Sequence, residues 1–301
     1  MNNVFPKGVA WINNCFVNIS EAKISILDWG FLRSDATYDV VHVWKGRFFL
    51  LDKHIDRFFS SSSKLRMPCE ISRNKIKNIL AECVERAGLE NAYVEMIQTR
   101  GVSPIFDRDP RKAVPCFMAF AVPFGWILKP EDLEVGLDVA VTSIKRIPSN
   151  SVDPTIKNYH WLDLVGGMFE AYDRGHQIGV LVDEKNNILE GPGFNIFFLN
   201  KGCLYTPNEG VLKGITRGVV IDLAKKLDIP VNLESISFEK LSSSEEVFAT
   251  STAGGIMPIT KIDGKKVGLG NFGEITRKFH KIYWDKHRDP DWSLSLKHIL
   301  S

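Results

Sequence analysis

The chain has 301 residues, with 38 Lys+Arg against 36 Asp+Glu, a formal charge of +2, 44% hydrophobic and 25% charged residues. These values exclude a disordered chain and leave no basic footprint for a nucleic acid or an anionic membrane surface. The length suggests about two domains at ~150 residues each.

Five cysteines, Cys15, Cys69, Cys83, Cys116 and Cys203, are odd in number and lack C-x-x-C spacing. This argues against a disulfide framework or a zinc knuckle and for a reducing compartment. The N-terminus shows no basic segment followed by an apolar one, so no signal peptide is expected. The longest uncharged stretch, 113–128, contains Pro115, Pro123 and Gly125 and is short for a membrane span. A cytoplasmic protein is expected, with no metal site.

Two short strands around Asn13-Asn14 read as a hairpin over 9–19. Residues 38–44 are β-branched and aromatic and predict a strand, turned by Lys45-Gly46 into a second over 48–51. A helical pattern starts at Asp52. Another helix runs from Ser72, an N-cap, to Ala87 and ends at Gly88, with Ile76, Ile79, Leu80, Cys83 and Val84 as its apolar stripe. Strands follow over 92–99 and 116–122. Pro, Gly and charges then mark a boundary, which divides the chain into a domain over 1–124, a linker over 125–134 and a domain over 135–301. In the second block the pattern predicts strands over 135–142, 180–189, 194–199, 203–205, 231–236 and 246–250. It predicts helices over 161–174, 216–226 and 272–284.

Several short motifs carry chemistry. Lys157 lies between an extended Pro-containing stretch and an apolar helix, where a lysine can serve as nucleophile or base. Glu190-Gly191-Pro192-Gly193 ends a strand with a carboxylate that can meet a protonated ring nitrogen. Gly214-Ile215-Thr216-Arg217-Gly218 opens a helix whose free N–H groups suit an anion. Thr250-Ser251-Thr252-Ala253-Gly254-Gly255 supplies hydroxyls and a glycine turn. Arg57, on a helix beside His54, can clamp a phosphate, whereas His54 itself reads as structural. Singly, these have plainer readings: a solvated lysine, a hairpin corner, an N-cap threonine, a polar turn, a surface arginine. Together they provide an amine, a partner for a ring nitrogen and three phosphate donors, the set that pyridoxal 5'-phosphate requires.

With these motifs in this order, from Asp28-Trp29-Gly30-Phe31 to Gly254-Gly255-Ile256-Met257-Pro258-Ile259-Thr260, the chain resembles the class IV aminotransferases. This fold-type IV pyridoxal-phosphate family includes branched-chain, D-amino acid and (R)-selective amine transaminases and aminodeoxychorismate lyase. The resemblance implies a two-domain α/β fold, with a small N-terminal α/β domain and a larger C-terminal domain on a mixed, barrel-like sheet. It implies that Lys157 joins the cofactor aldehyde and moves the substrate proton, and that Glu190 pairs with the pyridine nitrogen. Arg57, the amides of Ile215 and Thr216, Ser251 and Thr252 would hold the phosphate. A homodimer is implied, with the active site between the domains.

Ser34-Asp35-Ala36-Thr37-Tyr38-Asp39-Val40, Val152-Asp153-Pro154-Thr155-Ile156-Lys157-Asn158 and Met168-Phe169-Glu170-Ala171 are most similar to the (R)-selective amine:pyruvate transaminases. By that likeness Tyr38, Tyr93, Glu95 and Trp161 line the substrate pocket. Arg33 stands where a histidine is expected, and a guanidinium there can bind a substrate carboxylate. The 104–111 loop offers Arg108 and Arg111 as a movable partner for a keto-acid carboxylate, since Glu95 would repel one unless a cation answers it. The implied reaction is ping-pong transfer of an amino group from a chiral amine or D-amino acid to a 2-keto acid such as pyruvate. The alternatives are a branched-chain or D-amino acid aminotransferase, a lyase resembling aminodeoxychorismate lyase, and a phosphate-binding protein without covalent chemistry.

Overall fold

The structure is a computed structural model and describes residues 4–301. Strands β1 (Val9–Ile12) and β2 (Cys15–Asn18) meet at Asn13-Asn14, both in the left-handed region that a two-residue hairpin turn needs. A single turn, α1 (Trp29–Arg33), is capped by the Asp28 carboxylate, which accepts from Gly30 N at 2.7 Å. Strand β3 (Ala36–Trp44) turns at Lys45-Gly46 into β4 (Arg47–Phe49). The predicted continuation of that strand to residue 51 gives way to helix α2 (Leu51–Lys64), because Leu50 is left-handed (φ 51°) and ends the strand. Helix α3 (Arg73–Ala87) has the caps its sequence specifies: Ser72 accepts from Lys75 N, and Gly88 is left-handed. Strands β5 (Ala92–Val102) and β6 (Val114–Pro123) follow.

The rest of the chain runs β7 (Leu137–Lys145), α4 (Leu162–Asp173), β8 (Ile178–Val182), β9 (Glu190–Gly191), β10 (Phe194–Asn200) and β11 (Cys203–Pro207). Then come α5 (Ile215–Lys226), β12 (Val231–Glu234), α6 (Phe238–Ser242), β13 (Glu246–Ser251), β14 (Gly255–Ile262) and β15 (Lys265–Lys266). Helix α7 (Glu274–Asp285), strand β16 (Ser293–Ser295) and α8 (Leu296–Leu300) complete it. The strand expected over 180–189 stops at Val182, because the Asp183 carboxylate folds the next residues into a turn by accepting from the amides of Lys185 and Asn187, both at 2.8 Å. Among the described residues no helix is long and apolar enough to cross a membrane.

The chain forms two compact units. The first takes residues up to Gly125, then Ile156–His160 and Lys286–Ser301; the second takes Trp126–Thr155 and Trp161–Asp285. The C-terminal segment belongs to the first because β16 pairs with β4. The first unit is built on an antiparallel sheet ordered β16-β4-β3-β5-β6-β1-β2. Strand alternation gives that sheet two distinct faces. Val41 and Val43 of β3 and Ala92, Val94 and Met96 of β5 face α2 and α3, where Ile55, Phe58, Ile76 and Leu80 complete a core. Tyr38 and His42 of β3 and Tyr93, Glu95 and Ile97 of β5 share the opposite face, and Glu95 stands across from Val40.

The second unit has a mixed sheet ordered β12-β11-β10-β13-β14-β7-β8, with parallel pairing at β11/β12, β14/β7 and β7/β8. Its core gathers Val139, Val180, Phe194, Ile196, Phe198, Val247, Ala249 and Met257. Strand β14 is central although it contains Pro258, a residue that argues against a central strand. Pairing with β7 begins only at Ile259, so the proline ring displaces no ladder bond there.

Candidate active site

In the first unit the segment 156–160 is bound to the start of β3. Thr37 Oγ1 and the Tyr38 amide both donate to the Lys157 carbonyl, at 2.7 and 3.1 Å, and Thr37 bridges Asn158. This fixes Lys157 against the face that carries Tyr38, with Nζ 4.1 Å from the centre of the Tyr38 ring. The other side of the sheet holds a second group. Asp39, fully buried, accepts from Arg57 Nε at 2.7 Å and Nη2 at 2.8 Å, and its Oδ1 is 2.8 Å from His54 Nδ1. Burial pushes the Asp39 carboxyl up, but Arg57 and His54 reverse this and hold it well below the carboxylate range. Burial lowers the His54 pKa; Asp39 opposes this, while Arg57 and Lys157 add to it. Arg57 thus presents a guanidinium whose orientation is set from behind by a fixed carboxylate.

Glu95 is 7% exposed. The Tyr93 hydroxyl donates to its Oε2 at 3.0 Å, and the Tyr159 hydroxyl donates to its Oε1. Tyr159 in turn stacks on Tyr38, with ring centres 4.3 Å apart. Burial raises the Glu95 pKa; the two phenols and Lys157 act against it without restoring the ordinary value. Tyr38, Tyr93, Glu95 and Lys157 are therefore together in one unit. Arg33 is exposed, its guanidinium 4.3 Å over the Trp29 ring. Arg111 is held by Asp109, with Nη2 2.7 Å from Oδ2, while Arg108 is exposed on the same loop.

In the second unit Glu190, 5% exposed, ends β9 and is enclosed by donors. Arg146 Nη2 reaches its Oε1 at 3.1 Å, and the Leu212 amide and Asn195 Nδ2 reach Oε2 at 3.0 and 3.2 Å. Burial works against the Arg146 charge, but the Glu190 and Asp163 carboxylates outweigh it and raise its pKa. Asn195 also donates to the Leu212 carbonyl at 2.8 Å, tying Glu190 to the entry of α5. A Cβ at Gly214 would stand 2.2 Å from Asn195 Oδ1, so the chain passes there only as glycine. Gly214 caps α5 without a side-chain hydrogen bond. The amides of Ile215 and Thr216 thus lack intrahelical acceptors and lie at the positive end of the dipole.

Ser251 spends its hydroxyl proton on the Gly193 carbonyl at 2.7 Å and accepts from the Ala253 amide at 3.1 Å. It shapes the turn in which Thr252 sits. The ring edge of Trp161 faces Gly193, 3.9 Å from where a Cβ there would stand. Arg217, also in this motif, turns inward and donates to the Pro207 carbonyl at 3.0 Å.

The donor set fits pyridoxal phosphate: a buried carboxylate for a ring nitrogen, an uncapped helix start for a phosphate, and a lysine fixed by its main chain. Sequence reasoning missed Asp39, Tyr159, Arg146 and Asn195. Tyr159 carried a usable signal, standing two residues from Lys157; the others meet their partners only through tertiary packing.

The sequence profile of the amino-transferase class IV family matches residues 36–262. The chain is 33% identical over 278 residues to a putative branched-chain-amino-acid aminotransferase of Methanocaldococcus jannaschii, covering 91% of this chain and 95% of that one. It is 28% identical over 284 residues to a D-alanine aminotransferase of Staphylococcus haemolyticus, covering 90% and 95%. Among solved structures, the T.th. branched-chain amino acid aminotransferase with pyridoxamine 5'-phosphate superimposes with a TM-score of 0.90 at 26% identity, over 98% of this chain and 100% of that one. The chain belongs to the class IV aminotransferase family and is a pyridoxal-phosphate-dependent aminotransferase.

Proposed function

We propose that this aminotransferase takes nitrogen from a small chiral amine of (R) configuration, or from a D-amino acid, and gives it to a short 2-keto acid such as pyruvate in a ping-pong cycle. The observation that carries this reading is Glu95, a buried carboxylate on the sheet face shared with Tyr38 and near Lys157. A carboxylate there, both of whose oxygens accept from phenols, disfavours a donor that must place a second carboxylate on that side and favours one with an apolar or aromatic group against the tyrosines. The likeness of the 34–40, 152–158 and 168–171 segments to the (R)-selective transaminases points the same way. When bound, the cofactor supplies an electron sink that makes the substrate Cα–H acidic. In this reading Lys157 holds and returns that proton, and Glu190, fixed by Arg146, keeps the ring nitrogen protonated. Arg57, the Ile215 and Thr216 amides and Thr252 hold the phosphate, with Ser251 shaping the turn. Tyr38, Tyr93, Glu95 and Trp161 line the pocket, and exposed Arg33 and Arg108 are available to a carboxylate.

The names of the relatives support a second reading, branched-chain or D-alanine transfer. A donor screen separates the two. Both enantiomers of an aryl-alkyl amine, D- and L-alanine and L-leucine are offered with pyruvate or 2-oxoglutarate. The (R)-amine and D-alanine with pyruvate are expected to give the highest kcat/KM; a preference for L-leucine with 2-oxoglutarate overturns the reading.

We also read the protein as a cytoplasmic homodimer. An apolar stripe on α4, Leu162, Val165, Phe169 and Tyr172, supports the dimer, and the five unbridged cysteines fit a reducing compartment.

A further inference from the structure

We propose that Tyr159 is a specificity-determining positioning residue, whose hydroxyl holds Glu95 as a fixed anion beside Lys157 and so sets the discrimination against substrates bearing a second carboxylate. The inference rests on the reading of Glu95 as part of the substrate pocket.

Four observations carry it. Each oxygen of the Glu95 carboxylate accepts one phenol, Tyr93 on Oε2 at 3.0 Å and Tyr159 on Oε1. Tyr159 is not free to leave, since its ring is stacked on Tyr38 at 4.3 Å with 14° between the planes. Its main chain is pinned on both sides: the Lys157 carbonyl accepts from Thr37 and Tyr38, and the Asn158 side chain donates to the Ile156 carbonyl at 3.0 Å and accepts from the His160 amide at 2.9 Å. Lys157 Nζ lies over the same Tyr38 ring at 4.1 Å. The lysine, the tyrosine two residues on and the carboxylate are therefore one rigid assembly built around Tyr38.

Two donated hydrogen bonds favour the charged form of a carboxylate, while burial favours the neutral one. The titratable groups beside Glu95 are Tyr93 on its own strand, Tyr38 on β3, and Lys157 and Tyr159 on the 156–160 segment, while the charge of Asp39 acts on it from the other side of the sheet and raises its pKa. Burial and the neighbouring Glu95 both push the Tyr159 hydroxyl far up, so it remains a donor at every working pH. Without that donor, burial prevails further. Glu95 takes up a proton at higher pH, and the pocket loses the charge that repels a carboxylate.

The test uses the holoenzyme and its Tyr159→Phe, Glu95→Gln and doubly substituted forms. The kcat/KM for pyruvate and for 2-oxoglutarate is measured with one amine donor across pH. The Tyr159→Phe form is expected to raise the 2-oxoglutarate to pyruvate ratio about tenfold at neutral pH, the size of one hydrogen bond to a charged group. It is also expected to move the acidic limb of the ratio up by about one pH unit. Glu95→Gln should hold the ratio at its raised, low-pH value across the whole range and so abolish that limb, and the double form should match Glu95→Gln alone. If Glu95→Gln changes the ratio but Tyr159→Phe lowers both rates equally with the limb in place, Tyr159 is merely structural and the proposal falls while the reading of Glu95 stands. If neither substitution moves the ratio, Glu95 does not face the substrate and both fall.

Discussion

Asp39 has no exposed surface, yet it stays ionised because Arg57 and His54 face both of its oxygens. Replacing it by Asn removes a carboxylate that balances a largely buried guanidinium, and such a loss costs about 3 kcal/mol. The pH dependence follows from two depressed pKa values. The folded Asp39 gives up its proton more readily than the unfolded residue, so its stabilisation is complete above the ordinary carboxylate pKa of about 4 and fades as pH falls through and below it. Folded His54 also binds its proton less readily than the unfolded residue. Stability therefore begins to fall already as pH drops below about 6.5. Thermal unfolding followed by circular dichroism should show a lower Tm for Asp39→Asn at pH 7 and a shallower loss below about pH 4 than in the native protein. An unchanged Tm at pH 7 refutes the ion group as a stabilising one. Lys157 and Glu190 stand out in the sequence as candidates because their neighbours are local: prolines before one, glycines after the other. Asp39 does not, since its partners lie 15 and 18 residues on and only a helix laid across a strand brings them to it.

At the level of elements, the part of the second unit proposed to hold the phosphate is braced by a helix that no motif marked. Tyr283 of α7 is fully buried, and its hydroxyl faces Thr216 in the first turn of α5. Its ring lies beneath the 250–255 turn: a Cβ at Gly255 would stand 2.7 Å from Tyr283 Cε1, on a backbone already at φ 69°. One phenol thus supports both proposed phosphate contacts, the helix start and the glycine turn. Tyr283→Leu takes that ring away and should weaken pyridoxal phosphate binding to the apoenzyme by about 1 kcal/mol, roughly fivefold. Binding of pyridoxal, which has no phosphate, should be unchanged. Equal weakening of both ligands would show a general packing defect instead. Helix α3 was readable end to end because its caps and apolar stripe agree. Strand β14 escaped notice because Gly254, Gly255 and Pro258 are breaker signals, tolerated only by a register and a neighbour that tertiary pairing supplies.

On the scale of the whole molecule, linear reading breaks down at the point that matters most. Residues 156–160, which include Lys157, leave the second unit to join the first, and 286–301 do the same. Periodicity shows what a segment is and not which sheet it joins, so a division at a single linker could not contain either excursion. The other whole-molecule property concerns α4. Leu162, Val165, Phe169 and Tyr172 recur at spacings of three and four, the pattern of a helix face made to be covered, yet Leu162 is 88% and Phe169 62% exposed. The helix covers β7 and β8 with its other side, through Leu164, Gly167 and Ala171. An apolar face of this kind on an aminotransferase needs an apolar partner, and in a homodimer the same face of a second copy is always present at equal concentration. Two charges placed on it, Leu162→Glu with Phe169→Glu, must be desolvated to be buried and would repel their counterparts. Sedimentation at micromolar concentration is expected to give a particle of about twice the chain mass for the native protein. The doubly substituted form should sediment as the 34.0 kDa chain with its far-ultraviolet circular dichroism retained. A native monomer, or a dimer that survives both charges, would place the association elsewhere and leave the exposed stripe of α4 to another partner.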